Sequence, residues 1–91
     1  MLTIRYQTSF KKDYKRVKKR GYDLRLINEV IGILAEGREL PKKYKDHILL
    51  NGMYKGCHEC HITPDWLLVY QIGEQGLILY LTRTGTHSDI F

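Results

Sequence analysis

The chain has 91 residues, of which 43% are hydrophobic and 27% are charged, so we expect one small domain that spans residues 1–91. No stretch approaches the roughly 20 apolar residues that a membrane span requires, and the N-terminal segment has no apolar run long enough for a secretory signal. We therefore expect a cytoplasmic protein with no membrane partner. Two cysteines are too few for a disulfide framework.

The net charge of +5 is concentrated in one segment. Residues 11–20 contain seven Lys or Arg side chains and one Asp, whereas the rest of the chain sums to −1. Such a block favours a polyanion or an acidic partner, but a solvated helix face would give the same pattern, and charge alone leaves both interpretations open. The basic residues are Lys11, Lys12, Lys15, Arg16, Lys18, Lys19 and Arg20.

The N-terminal part of the chain predicts a strand and then a helix. Alternating apolar residues indicate a strand over residues 2–6. Thr8 or Ser9 is a suitable helix N-cap because a hydroxyl there can accept a hydrogen bond from a free backbone N–H. The helix should end at Gly21, since glycine suits the left-handed residue that terminates a helix. Its apolar stripe consists of Phe10, Tyr14 and Val17.

A second helix is predicted after a short turn. Asp23 can cap it, and Gly37 is expected to end it. The turn between the helices is so short that they should form an antiparallel hairpin. Residues 38–52 are mostly polar and predict a loop. The apolar face of the second helix consists of Leu26 or Ile27, Val30, Ile31 and Leu34.

Three strands are predicted in the second half, over residues 53–62, 66–72 and 77–83. The middle strand is apolar on both faces, as a central strand should be, and Gly85 lets the C-terminal tail turn away. The predicted order β-α-α-β-β-β describes an α+β domain, in which a helical hairpin covers one face of a sheet whose last three strands form an antiparallel meander.

The segment from Cys57 to His61 reads Cys-His-Glu-Cys-His, which matches the C-x-x-C-H spacing of haem attachment and half of a zinc site. On a strand, however, Cys57 and Cys60 would point to opposite faces and could not hold one metal ion or one haem. We therefore expect no metal, haem or other cofactor, and we expect Cys60 to be a small buried hydrophobe. A metal or haem module on the two cysteines is the alternative.

Glu59 and His61 fall on one face of the same strand. A carboxylate beside an imidazole can orient it or share proton transfer, although a surface ion pair would give the same pattern. If residues 66–72 form the central strand, Arg83 and His87 should lie near His61 and Asp65. Imidazoles beside a guanidinium suit phosphodiester cleavage. One group takes the 2′-hydroxyl proton, another protonates the leaving 5′-oxygen, and Arg stabilises the phosphate charge.

Three segments of the chain resemble the YafQ-type branch of the RelE/ParE toxin superfamily. They read YKDHILLNGMYKG, HECHITPDWLLVYQI and LTRTGTHSDIF, and the resemblance extends over the whole chain. The resemblance implies a RelE-like microbial RNase fold and the toxin of a type II toxin–antitoxin pair. It further implies a ribosome-dependent mRNA endoribonuclease that needs no metal, with a cognate antitoxin, the ribosome and mRNA as partners.

Carried over by position, the resemblance implies roles for particular residues. His87 matches the main candidate for the general acid or base, and Arg83 matches the residue that binds the phosphate. How His47, His61 and Asp65 divide the remaining proton transfers stays open. Trp66 and Phe91 match aromatics that contact RNA or shape the site; from position alone, Trp66 is expected in the core and Phe91 could stack on a base. The basic helix becomes an expected ribosomal RNA contact. The catalytic candidates are His47, Glu59, His61, Asp65, Arg83 and His87.

Cys57 and His58 depart from the family pattern, which has an aromatic residue followed by Arg at these positions. His58 places a titratable side chain where the family pattern has the fixed charge of arginine, so RNA affinity or pH dependence can differ. The superfamily's ParE branch poisons gyrase and is not a nuclease. A non-catalytic toxin that binds a protein target such as gyrase is therefore the alternative, and the retained His and Arg set favours the nuclease.

Overall fold

A computed structural model describes all residues from 1 to 91 as one sheet with a pair of helices packed on it. The strands and α-helices are β1 (Thr3–Tyr6), α1 (Thr8–Lys19), α2 (Leu24–Ala35), β2 (His47–Ile48), β3 (His58–Thr63), β4 (Trp66–Gly73), β5 (Ile78–Gly85) and α3 (His87–Ile90). Single-turn 3-10 helices cover Lys42–Tyr44 and Glu74–Gly76. No helix is both long enough and apolar enough to cross a membrane.

The sheet has five strands in the order β1-β5-β4-β3-β2. The predicted meander is confirmed, with β4 in the centre and antiparallel to both β3 and β5. β1 pairs with β5 in parallel, and the two-residue strand β2 extends the other edge. The sheet is therefore mixed, because the helical hairpin returns the chain to the far edge and leaves β1 beside the last strand.

Three local predictions were wrong. Residues 38–52 are not a loop throughout, because His47 and Ile48 pair with β3 as strand β2 and a 3-10 turn precedes them. Residues 53–57 form a turn and not the start of a strand, since Gly52 and Gly56 adopt left-handed conformations with φ of +82° and +89°. The first helix starts at Thr8 without a side-chain cap. Ser9 Oγ instead donates a hydrogen bond to the Thr82 carbonyl at 2.7 Å. The predicted cap at Asp23 is confirmed, because its carboxylate accepts a hydrogen bond from the Arg25 N–H.

The core lies mainly between the helical hairpin and one face of the sheet. Ile27 is fully buried whereas Leu26 is 38% exposed, which decides between the two alternatives for α2. A smaller apolar cluster covers the opposite face, so β4 is buried on both sides from Trp66 to Tyr70, whereas Gln71 and Ile72 near its end are exposed. The small cluster consists of Cys57, Leu67, Val69 and Ile90.

Helix α1 also covers an open edge of β5. β1 pairs with β5 only as far as Leu81. Beyond that point, Ser9 binds the Thr82 carbonyl, and the Asp13 carboxylate accepts a hydrogen bond from the Thr84 N–H at 3.1 Å. Side chains of the helix thus satisfy backbone groups that a neighbouring strand would otherwise pair. This arrangement places a buried carboxylate beside Arg83.

Candidate active site

Four of the six catalytic candidates line one open cleft of about 600 Å³ at the end of the sheet where β3 turns into β4. Strand register explains why they meet. His61 pairs with Leu67, and Leu67 pairs with Gly85, so the chain that follows β5 emerges beside His61. The four candidates are Glu59, His61, Asp65 and His87.

A fifth candidate, His47, joins the cluster through the short strand β2, where it pairs with Glu59. Its Nε2 atom lies 3.3 Å from Glu59 Oε1, and His61 Nε2 lies 3.9 Å from the same oxygen. The Glu59 side chain is only 9% exposed, so its carboxylate has little contact with water. His47 Nδ1 lies 2.8 Å from the Lys45 carbonyl, which can only accept, so this nitrogen carries a proton.

His87 is the first residue of α3 and is exposed to solvent. Thr86 and Asp89 form a reciprocal capping box that fixes the start of this short helix. Gly85 forms the corner before it, with a φ of +148°, and an added Cβ would come within 2.8 Å of Asp89 Oδ2. The ring of Phe91 lies 4.9 Å from the His87 ring, between centroids, and is 51% exposed. The helix therefore presents an imidazole and an aromatic ring side by side.

Arg83 lies in the same cross-strand row as Glu59, two strands away, and does not line the cleft. Its guanidinium donates twice to the Asp13 carboxylate, once to Tyr54 Oη at 2.9 Å and once to the Asp89 carbonyl at 3.0 Å. The Asp13 contact raises the pKa of Arg83 above its usual range. Of the five N–H donors of an arginine, these bonds leave one Nη1–H free.

Sequence reasoning missed Asp13, although a signal was present. It is the one acidic residue in the basic segment, and it follows Phe10 by three residues and precedes Val17 by four, which places it on the apolar stripe of α1. It is only 2% exposed. A carboxylate on a buried helix stripe requires a cationic partner, and here that partner is Arg83.

The basic helix α1 has two kinds of cation. Its five lysines are exposed, whereas Arg20 binds the Asp89 carboxylate through two bonds of 2.6 and 3.0 Å. Arg16 lies 3.2 Å from Asp13 and 3.9 Å from Asp89. The Arg20 contact holds the pKa of the Asp89 carboxyl well below its usual range. The arginines thus anchor α3 to α1, and the lysines remain available to solvent.

Trp66 is 3% exposed and does not reach the surface of the cleft. Its Nε1–H donates to Thr84 Oγ1 at 2.8 Å. Its ring meets the Tyr22 ring edge-on, with 4.9 Å between centroids, and Tyr22 lines the cleft. Trp66 therefore supports one wall of the cleft from behind.

Cys57 and Cys60 lie in the two separate apolar clusters, on opposite faces of the sheet, as strand alternation predicted. Burial raises the pKa of both thiols, and Cys60 is a fully buried hydrophobe, which confirms that prediction. No group of three or more His, Cys, Asp or Glu side chains is arranged to hold a metal ion. His58 faces away from Glu59, with its ring stacked on Tyr70 at 4.9 Å. Of the two residues that depart from the family pattern, His58 thus lies on the side of β3 away from Glu59, whereas Cys57 packs in the small cluster on the Glu59 side.

Comparison with known proteins gives the class and then the family. A family model described as the bacterial toxin of the type II toxin–antitoxin system, YafQ, matches residues 2–91. The mRNA interferase toxin YafQ of Escherichia coli K12 is 36% identical over 89 residues, which cover 97% of this chain and 94% of that protein. This chain belongs to the YafQ family of bacterial type II toxins, so the resemblance seen in the sequence is confirmed.

Solved structures confirm the fold. A crystal structure of a metal-bound toxin from Helicobacter pylori is 49% identical with a TM-score of 0.89, and both chains are fully covered. YafQ from Escherichia coli BL21(DE3) is 34% identical with a TM-score of 0.90 over 100% of this chain and 99% of the other. The toxin chain of an Escherichia coli DinJ-YafQ complex is 35% identical with a TM-score of 0.88 over the same shares.

Proposed function

We propose that residues 1–91 form one toxin domain that cleaves mRNA on the ribosome as an endoribonuclease, without a metal. The observation that carries the proposal is the cleft that gathers Glu59, His61, Asp65 and His87, with His47 Nε2 3.3 Å from Glu59 Oε1. The name of the Escherichia coli relative, an mRNA interferase, supports the same activity. A chain that acts on ribosomes would work in the cytoplasm.

The proposed reaction is attack of a 2′-hydroxyl on the adjacent phosphorus. The O2′–P bond forms as the P–O5′ bond breaks, which yields a 2′,3′-cyclic phosphate and a free 5′-hydroxyl. The reaction needs a base for the 2′-hydroxyl proton and an acid for the 5′-oxygen. His87 of α3 and His61 of β3 both line the cleft, so their imidazoles are available to act as acid and base on a phosphate that binds there. We assign the leading acid or base role to His87, and His47, His61 and Asp65 divide the rest.

Glu59 and Arg83 complete the proposed site. Glu59 lies within 4 Å of two imidazoles and would stabilise the charge that either gains when it takes a proton. Arg83 lies beside the cleft and not in its lining, so it would bind the phosphate charge of a strand that extends past the cleft, through the one Nη1–H that its protein partners leave free. Asp13 and Tyr54 would then act as positioning residues for that guanidinium.

The proposed partners are the ribosome, mRNA and a cognate antitoxin. The exposed lysines of α1 form a basic surface suited to ribosomal RNA, with Arg16 and Arg20 beside them. Phe91, half-exposed next to His87, is suited to stacking on a base. Trp66 would shape the site from its buried position. The complex of Escherichia coli YafQ with DinJ supports a protein partner of the antitoxin kind.

The test compares growth arrest and RNA cleavage on expression of the wild type, His61→Ala, His87→Ala and the double variant. We expect the double variant to lose both effects while its thermal unfolding stays close to that of the wild type, because neither imidazole is buried. Growth arrest that survives in the double variant without RNA cleavage would refute the nuclease, and would favour the alternative toxin that binds a protein target such as gyrase.

A further inference from the structure

A second recess of about 320 Å³ adjoins the catalytic cleft. The two share His61 and Pro64 as lining residues, so one opens beside the other across the end of β3. The far wall of the recess is formed by the exposed side of α2 at Leu26 and Glu29. A chain-like ligand bound in the cleft can therefore continue over His61 into the recess.

The recess is basic, in contrast to the cleft. Lys43 and Lys45 line it with Glu29 as the single carboxylate, whereas Glu59 and Asp65 line the cleft. Both lysines are exposed and neither forms an ion pair. Their positive charge is thus free to meet an anion that enters from the cleft side.

The segment that carries the lysines is held in place. Tyr44 between them is 6% exposed and packs in the core, and Lys43 Nζ lies 5.0 Å above its ring. Lys45 ends the 3-10 turn in a left-handed conformation with φ of +51°. Its carbonyl accepts the hydrogen bond from His47 Nδ1. The basic segment and the catalytic cluster are therefore parts of one fixed unit.

We propose that this recess is a subsite for a nucleotide next to the scissile bond, in which Lys43 and Lys45 bind a flanking phosphate of the RNA strand. This inference rests on the proposed function. The volume falls within the about 300–1,000 Å³ that small-ligand pockets occupy, and lysine is a common phosphate binder. Because the contact is made away from the reacting atoms, it acts on substrate binding more than on the chemical step.

The test measures binding of a short 2′-O-methyl oligoribonucleotide, which cannot be cleaved because its 2′-oxygen is blocked. Fluorescence anisotropy at several salt concentrations would compare the wild type with the double variant Lys43→Ala/Lys45→Ala. The matched control is Arg5→Ala/Lys55→Ala, which removes the same charge from exposed residues that line neither cavity. Thermal unfolding would verify that all three proteins are folded.

We expect the slope of log affinity against log salt to be shallower by about 0.7 for Lys43→Ala/Lys45→Ala, since one single-strand phosphate contact contributes roughly 0.7. The control should keep the wild-type slope. Equal slopes for the two double variants would overturn the subsite. So would a mononucleotide that binds wild type as tightly as the oligonucleotide, because the recess would then be a separate nucleotide site.

A cleavage assay separates this inference from the proposed function. Where the wild type cleaves, Lys43→Ala/Lys45→Ala should raise KM and leave kcat close to the wild-type value. A lower kcat with an unchanged KM would overturn the subsite. If the wild type does not cleave at all, the proposed function fails, and the anisotropy slopes still decide whether the recess binds an RNA strand.

Discussion

Replacing Asp13 with alanine tests the ion pair that joins α1 to β5. The carboxylate is 2% exposed, accepts two hydrogen bonds from Arg83 and one from the Thr84 N–H, and lies 3.2 Å from Arg16. Removing one partner of a buried pair costs about 3–5 kcal/mol, because the other charge is left without compensation. A buried backbone N–H left without an acceptor adds about 1–3 kcal/mol.

These magnitudes are large for a chain of this length. At about 0.05–0.15 kcal/mol per residue, the expected free energy of unfolding is roughly 5–14 kcal/mol. A loss of 3 kcal/mol lowers Tm by about 12 °C or more in a domain of this size. We expect Asp13→Ala to reach at least that loss in thermal and urea unfolding. Asp13→Asn should fall between it and the wild type, since the amide oxygen can still accept from Thr84.

The matched control is Asp23→Ala, which removes an exposed carboxylate that also binds an arginine and a backbone N–H. Its loss of stability should be much smaller, because water can solvate the groups left behind. A Tm for Asp13→Ala equal to that of Asp23→Ala would refute the reasoning. A second check replaces both charges at once. Asp13→Leu/Arg83→Met should recover part of the stability that Asp13→Ala loses, because it leaves no unpaired charge in the interior.

Three further predictions concern α3, the thiols and the last residue. The folded pKa of Asp89 lies below its unfolded value of about 3.9, so its stabilisation is present above that pH and is lost as pH falls through the folded pKa. Urea titrations below about pH 4 should therefore show a weaker acid dependence for Asp89→Asn, and an unchanged dependence would contradict the Arg20 contact. Cys60, fully buried with a raised pKa, should react with a thiol reagent at pH 8 only as the protein opens, and immediate reaction would contradict its burial. Phe91→Ala should weaken oligoribonucleotide binding about 5- to 150-fold if the ring stacks on a base, and unchanged affinity would exclude stacking.

Local patterns in the sequence predicted what depends on alternation and spacing. The alternation of side chains along a strand predicted Glu59 and His61 on one face of β3 and His58 and Cys60 on the other, and the structure agrees. The apolar run over residues 66–72 predicted the central strand, because a strand buried on both faces is continuously apolar. Helix ends followed from Asp23 and from the glycines that adopt positive φ.

What the sequence did not predict depends on contacts between distant segments. The pairing of β1 with β5 and the short strand β2 have no local signature, yet β2 alone brings His47 to Glu59. The bonds from Asp13 to Arg83 join residues 70 positions apart. The strand predicted from residue 53 failed because the glycines at 52 and 56 impose a turn that hydrophobic alternation does not reveal.

Primer extension on an mRNA under translation, with and without ribosomes, tests the central claim most directly. It would compare the wild type with His87→Ala and with Ser88→Ala, a neighbouring replacement on the same helix. We predict cleavage within codons by the wild type and Ser88→Ala only when ribosomes are present, and none by His87→Ala. Cleavage by folded His87→Ala at the wild-type rate would contradict the account, as would growth arrest by the wild type with no cut in the translated mRNA.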